Sequence, residues 1–231
     1  MKIDVFADSD VVAQAAARVI AEEARATVAA RGRFTLAVSG GHTPWIMLRA
    51  LTQESIPWES VHVLQVDERV APEGHADRNL THLLESLLPY APLRPEQIHP
   101  MPVEGVDLEK GVRQYAVTIQ EIVGTPPVLD LVHLGLGADG HTASLVPGDA
   151  VLEVTDADVS QTGIYQGRRR MTLTYPILNR ARRILWVVTG GEKREMFDRL
   201  RNGDVSIPAG RIDRAQALLL ADRAAAGELN S

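Results

Sequence analysis

The sequence predicts an α/β fold, a mostly parallel, Rossmann-like sheet with helices on both faces. Two observations carry this expectation. Short apolar runs rich in Val, Ile and Leu recur along the chain, and their length and character suit buried parallel strands. Between them lie segments with apolar residues at helical spacing, so strand and helix alternate throughout, as parallel strands joined by helical crossovers require. No repeat, low-complexity tract or separating linker breaks the alternation, and residues 1–231 are expected to form one domain.

Taken in order, residues 3–7 read as a first strand. A helix capped by Ser9 or Asp10 follows, runs to about Ala30 and stops at Gly32, with Val12, Ala15, Ala16, Val19 and Ile20 as its apolar stripe. Residues 34–38 form an apolar strand that ends in Ser39, Gly40, Gly41, His42, Thr43 and Pro44, ahead of a helix over 45–51. Proline suits a first helical turn, so the glycine amides precede a helix N-terminus, a place that attracts anions. Residues 61–66 are the next strand, ending in the charged triplet Asp67, Glu68 and Arg69. A polar loop (71–78), a helix (79–88), a proline-punctuated connection and a helix over 107–123 complete the first half.

The second half is organised around residues 129–147. An apolar run there breaks into Gly135, Gly137 and Gly140, with Asp139 and His141 inside the turn, at the carboxyl end of a strand where open α/β sheets bind ligands. Residues 151–166 are weakly patterned and carry no assignment. The alternation of 171–175 suggests a strand, 176–181 a short helix or turn, and 184–188 an apolar strand ending in Thr189, Gly190, Gly191, Glu192 and Lys193. A helix over 194–201, a last strand over 217–220 and a terminal helix capped by Asp222 close the chain.

Composition excludes several classes. The chain is 45% apolar and 23% charged, an ordinary balance for a soluble globular protein, and its net charge of −6 argues against broad nucleic-acid binding. With no cysteine there is no disulfide, thiolate nucleophile or Cys-ligated zinc, and no His-x-x-x-His pair suggests another metal site. The start, MKIDVFADSD, has acidic residues where a signal peptide has its apolar core, and no apolar run reaches the ~18 residues of a membrane helix. A cytoplasmic monomer acting on a small molecule, without membrane or nucleic-acid partner, is expected.

In a parallel sheet the loops at 39–43, 67–69, 137–141 and 189–193 share one edge and meet in one crevice. Glycine amides with Arg69, Arg170 and Lys193 suit a phosphate, and His141 with Asp139 supplies proton transfer. Gly135-x-Gly137-x-x-Gly140 also spells a dinucleotide fingerprint, with Asp156 and Asp158 downstream. Pro147 would break the long helix that motif needs, and Asp139 would face the pyrophosphate. No Gly-x-Ser-x-Gly elbow is present, and Ser39 and Ser144 have no acid–base partner nearby in sequence, so a histidine that activates water is the simpler proposal. Of the other candidates, His75 and Asn79 border the crevice, His62, His82, His99 and His133 read as surface or core residues, and Trp45, Trp58 and Trp186 as packing.

Four motifs together carry a resemblance. They are Ser39-Gly40-Gly41-x-Thr43-Pro44, Asp67-Glu68-Arg69, the run from Gly135 through Asp139-Gly140-His141-Thr142-Ala143-Ser144-Leu145 to Pro147, and Arg170-x-Thr172-Leu173-Thr174. In this order, over nearly the whole chain, they resemble the 6-phosphogluconolactonases, a family shared with glucosamine-6-phosphate isomerase/deaminase. The resemblance implies hydrolysis of 6-phospho-D-glucono-1,5-lactone to 6-phosphogluconate, the second step of the oxidative pentose phosphate pathway, with no obligatory cofactor. It implies that His141 activates the water, that Arg69 binds substrate or stabilises developing charge, and that Gly40, Gly41 and Lys193 hold the phosphate. Ser39, Thr43, Asp67 and Arg170 complete the expected substrate shell, with Asp139 beside the histidine. His42 and Val146, the latter in place of an aromatic, depart from the family pattern. The deaminase is a second expectation, against which residues 142–148 hold no acid, and a phosphosugar-binding module is a third.

Overall fold

A computed structural model of the chain describes residues 1–227. The chain runs through β1 (Lys2–Phe6), α1 (Ser9–Arg31), β2 (Phe34–Val38), α2 (His42–Leu51), β3 (Val61–Gln65), β4 (Asp67–Arg69), α3 (Asn79–Leu87) and β5 (Ile98–His99). It continues through α4 (Leu108–Val123), β6 (Leu131–Leu134), β7 (Val159–Gln161), β8 (Arg170–Leu173), α5 (Tyr175–Arg180), β9 (Arg183–Val188), α6 (Arg194–Arg201), β10 (Ala217–Asp222) and α7 (Arg223–Ala226). The expected α/β architecture is present. Seven strands form a sheet in the order β1-β10-β9-β6-β2-β3-β5, and every neighbouring pair is parallel.

The pleat sends successive side chains to opposite faces and so builds two cores. Leu36, Val38, Leu131, Leu185, Val187, Leu218 and Leu220 pack against α1, α2 and α3. Ala37, Val132, Leu134, Ile184, Trp186 and Leu219 pack on the other side with residues of α4 to α7. Strands apolar on both faces follow from this double cover. Truncating a fully buried leucine such as Leu36 to alanine would cost about 2–5 kcal/mol. No helix among the described residues is long and apolar enough to cross a membrane.

Helix α1 starts one residue earlier than its expected caps: Asp8, in extended conformation, accepts from the Val11 amide, and Ser9 and Asp10 lie inside the helix. Gly32 ends it at φ 76°, as expected, its amide bonded to the Val28 carbonyl.

Strand order reverses between β2 and β6. From β2 the chain steps outward to β3 and β5; β6 then returns to the other flank of β2, and β9 and β10 continue away from it. Loops leaving the two central strands therefore diverge, and a crevice opens at their carboxyl ends.

One expectation needs correction. Residues 67–69 are not a strand end dissolving into a loop but β4, part of a second, antiparallel sheet in the order β4-β8-β7. Val66 is the pivot: its amide still bonds Val38 of the main sheet at 2.9 Å, while its carbonyl takes the amide of Leu173 at 2.8 Å, which turns the chain out of the parallel register. The unassigned stretch 151–166 supplies β7 to the same sheet, after a short 3-10 turn at Ala150–Glu153.

Candidate active site

The crevice holds a cavity of about 500 Å³, lined by residues from all four anticipated loops and from the small sheet. Ser39, Gly40, Gly41, Thr43, Asp67, Arg69, His141, Arg170 and Lys193 all border it. Asp139 is behind His141 rather than on the wall.

The loop after β2 is shaped for an anion. Gly41, at φ 129°, sits at the N-cap of α2 and no side chain caps the helix, so the first-turn amides are left open beside the cavity. Gly40 must be a glycine, because a Cβ there would lie 1.8 Å from the Asn79 side-chain oxygen. A hydrogen bond of 2.7 Å between the Thr43 and Thr189 hydroxyls ties this loop to the one after β9. Ser39 is buried and faces inward: its hydroxyl donates to the His133 carbonyl, and its amide donates to His133 Nδ1 at 3.3 Å. His133 is fully buried, and loss of solvation lowers its imidazole to about 3, so it is neutral, with Nε2 carrying the proton and finding no partner among the described residues.

The small sheet forms a second wall. On β4 the two-residue period points Asp67 and Arg69 to the cavity and Glu68 away from it. Glu68 is fully buried, accepts from the amides of Asn79 and Leu80 at 2.8 Å, and pairs with Arg78 at 3.1 Å. It caps α3 and holds the strand, and takes no part in lining the cavity. Asp67 accepts from the Ser144 hydroxyl at 2.6 Å, an acidic partner 77 residues away that sequence proximity could not reveal. Arg69 donates to the Asn79 side chain at 2.6 Å, and Arg170 sits opposite it on β8. Burial lowers the Arg170 pKa, and the Arg69 charge lowers it further, against a raising contribution from Asp67.

The turn after β6 presents the titratable pair. His141 Nδ1 donates to Asp139 Oδ1 at 2.5 Å, and the His141 amide donates to the same oxygen at 3.1 Å. A carboxylate on Nδ1 fixes the tautomer and leaves Nε2 without a partner among the described residues. A Cβ on Gly137 would lie 2.1 Å from the His141 ring, so the bare backbone there is what admits the imidazole. Partial burial pushes the Asp139 carboxyl up, but the charge and amide of His141 and the Tyr165 hydroxyl outweigh it and leave the pKa below the usual value. Tyr165 donates to Asp139 Oδ2 at 2.8 Å. It comes from the stretch without an assigned pattern and was not anticipated.

Lys193 reaches the cavity from the 3-10 turn Gly191–Lys193, 3.9 Å from Glu192. The glycines before it do not fully mirror the β2 loop: the Gly190 amide is taken by Asp222, at 3.0 and 3.1 Å to its two oxygens. Asp222 also caps α7 as expected.

The remaining candidates lie elsewhere. Asn79 borders the cavity, but His75 pairs with Asp77 in the exposed loop. His62 and His99 share a 3.0 Å hydrogen bond between adjacent parallel strands, and His82 packs on Trp45. Arg168 bonds Asp77 at 2.6 Å. The dinucleotide reading fails, since no helix follows Gly140 before the short turn at Ala150.

Against known proteins, a sequence profile described as glucosamine-6-phosphate isomerases/6-phosphogluconolactonase matches residues 7–220. The chain belongs to this family. It is 34% identical to a 6-phosphogluconolactonase of Mycobacterium tuberculosis over 243 aligned positions, covering 99% of this chain and 98% of that protein. It is 38% identical to a 6-phosphogluconolactonase of Synechocystis sp. over 159 positions, 67% of this chain and 66% of that protein. Its fold superimposes on the solved 6-phosphogluconolactonase of Trypanosoma cruzi with a TM-score of 0.87 at 25% identity, over 100% of this chain and 97% of that one.

Proposed function

We propose that this chain hydrolyses 6-phospho-D-glucono-1,5-lactone to 6-phospho-D-gluconate. The observation that carries the reading is the placement of His141, with Nδ1 committed to Asp139, on the wall of a cavity that also gathers the open α2 amides, Arg69, Arg170 and Lys193. The family membership and the relatives' lactonase names support the same substrate.

The phosphate is assigned to the α2 N-terminus and Lys193, where amides and a cation converge. His141 Nε2 takes a proton from water as the oxygen attacks the lactone carbonyl carbon. Charge building on the carbonyl oxygen is met by the guanidinium groups of the small sheet. The C1 to ring-oxygen bond then breaks, and the imidazolium returns its proton to the departing alkoxide. The resulting acid ionises, so one proton is released per turnover. Base catalysis of this kind is worth about 10²–10⁴-fold, enough for an activated ester such as a lactone.

The test generates the lactone in place with glucose-6-phosphate dehydrogenase and follows its disappearance. Acceleration by the wild type and its loss in His141→Asn, with folding retained, are expected. Ammonia release from glucosamine 6-phosphate would instead assign the deaminase activity, and ligand-induced thermal stabilisation without turnover of either substrate would assign a binding module.

A further inference from the structure

The segment between β7 and β8 closes in a tight turn. Tyr165 and Arg168 exchange backbone hydrogen bonds of 2.9 and 3.2 Å, and Gln166 and Gly167 between them have φ of 52° and 79°. Two successive positive φ values are the mark of a type I′ turn, which matches strand twist and makes a stiff hairpin tip. This tip holds Tyr165 over the His141–Asp139 pair. Its hydroxyl is 2.8 Å from Asp139 Oδ2 and 3.4 Å from His141 Nδ1, and its ring meets the imidazole edge-on at 5.5 Å between centroids. From the cavity side the Arg170 guanidinium lies 4.8 Å from the centre of the phenol ring and donates to the Gln166 side chain at 3.1 Å.

Both Asp139 oxygens are therefore engaged, Oδ1 by His141 and Oδ2 by Tyr165. A carboxylate held through one oxygen alone swings about its χ2 bond, which is broad and soft; one held through both cannot. We propose that Tyr165 is a positioning residue of the hydrolytic site, fixing Asp139 so that His141 keeps its proton on Nδ1 and offers Nε2 to the attacking water. The phenol transfers no proton in this role. Partial burial and the neighbouring Asp139 carboxylate both raise its pKa, consistent with a phenol that stays protonated and donating. The hairpin also explains why the residue escapes pattern reading: its job depends on a turn, not on a periodic face.

This inference rests on the lactonase reading, and the experiment separates the two. Tyr165→Phe keeps the ring, its contact with Arg170 and the turn, and removes only the hydroxyl. In it kcat is expected to fall about tenfold, the worth of one hydrogen bond to a charged group, with KM within about twofold of wild type. In an Asp139→Asn background the same change is expected to have no further effect, because the two act through one link. In the free enzyme, nitrogen NMR of His141 is expected to show one tautomer in the wild type and a mixture in Tyr165→Phe. Unchanged kcat in Tyr165→Phe, multiplicative losses in the double variant or an unaltered tautomer would each overturn the proposal. A wild type inactive on the lactone would overturn the lactonase reading instead, while the NMR arm would still report on the Tyr165 link.

Discussion

Arg69 and Arg170 stand directly opposite each other across the β4–β8 antiparallel pair, both bordering the cavity. Like charges in that register repel, by about 0.2–1 kcal/mol where solvent screens them. Arg170 is also almost fully buried. Such a pair is poorly arranged for stability and well arranged for an anionic ligand.

Arg170→Met is accordingly expected to separate the two properties. Its kcat/KM for the lactone should fall at least tenfold, about 1.4 kcal/mol, while the melting temperature without ligand does not drop. Steady-state kinetics beside a thermal melt check it; a lower melting temperature would show that the arginine serves the fold.

Lys193→Ala should weaken substrate binding by about 1.5–3 kcal/mol, the range for a hydrogen bond to a charged group, seen mainly in KM. Part of the loss is expected in kcat, since a remote anchor also orients the reacting ring. A lactone without the phosphate should be a poor substrate for the wild type and equally poor for Lys193→Ala.

Glu68→Gln removes the buried one of the two carboxylates on Arg78, leaving it only the part-exposed Glu104, and weakens the cap of α3. Breaking a buried pair from one side costs about 3–5 kcal/mol where the other charge is left unpaired; with Glu104 still on Arg78 that is the upper bound, and the urea midpoint should fall below that of the wild type. Activity per folded molecule should persist, because Glu68 does not border the cavity.

His133 predicts a pH effect on stability. Burial holds its imidazole at about 3 in the folded chain against 6.5 in the unfolded one. Between those values the unfolded state binds the extra proton, so this residue's contribution is complete above pH 6.5 and is lost as pH falls towards 3, at up to 1.36 kcal/mol per unit. His133→Asn retains an acceptor for the Ser39 amide but cannot titrate. Urea unfolding from pH 7.5 to 4.5 should therefore show a steeper acid decline for the wild type than for the variant.

The main sheet was legible because its strands are covered on both sides. β2 is read from its apolar run residue for residue, and β3, β9 and β10 differ only at their ends. β8 is read from its alternation, over 171–175 against the observed Arg170–Leu173, but β4 and β7 escape as strands. These two have three residues each, too few to show a period, and β4 finds its partner about a hundred residues later, where local sequence says nothing of pairing. Glycine spacing and strand ends located the crevice and most of its lining. Which groups face it depended on contacts remote in sequence: Asp222 taking the Gly190 amide, Ser144 bonding Asp67, and Tyr165 reaching Asp139.

The alternation on β4 leaves no freedom in its length. Inserting or deleting one residue ahead of Asp67 would exchange inside for outside along the strand, bringing the Glu68 carboxylate towards the bound anion and sending a ligand arginine into the interior. Tolerated indels belong in the exposed 72–77 turn beyond it, which makes the three-residue strand a natural anchor for aligning distant homologues whose loops differ in size.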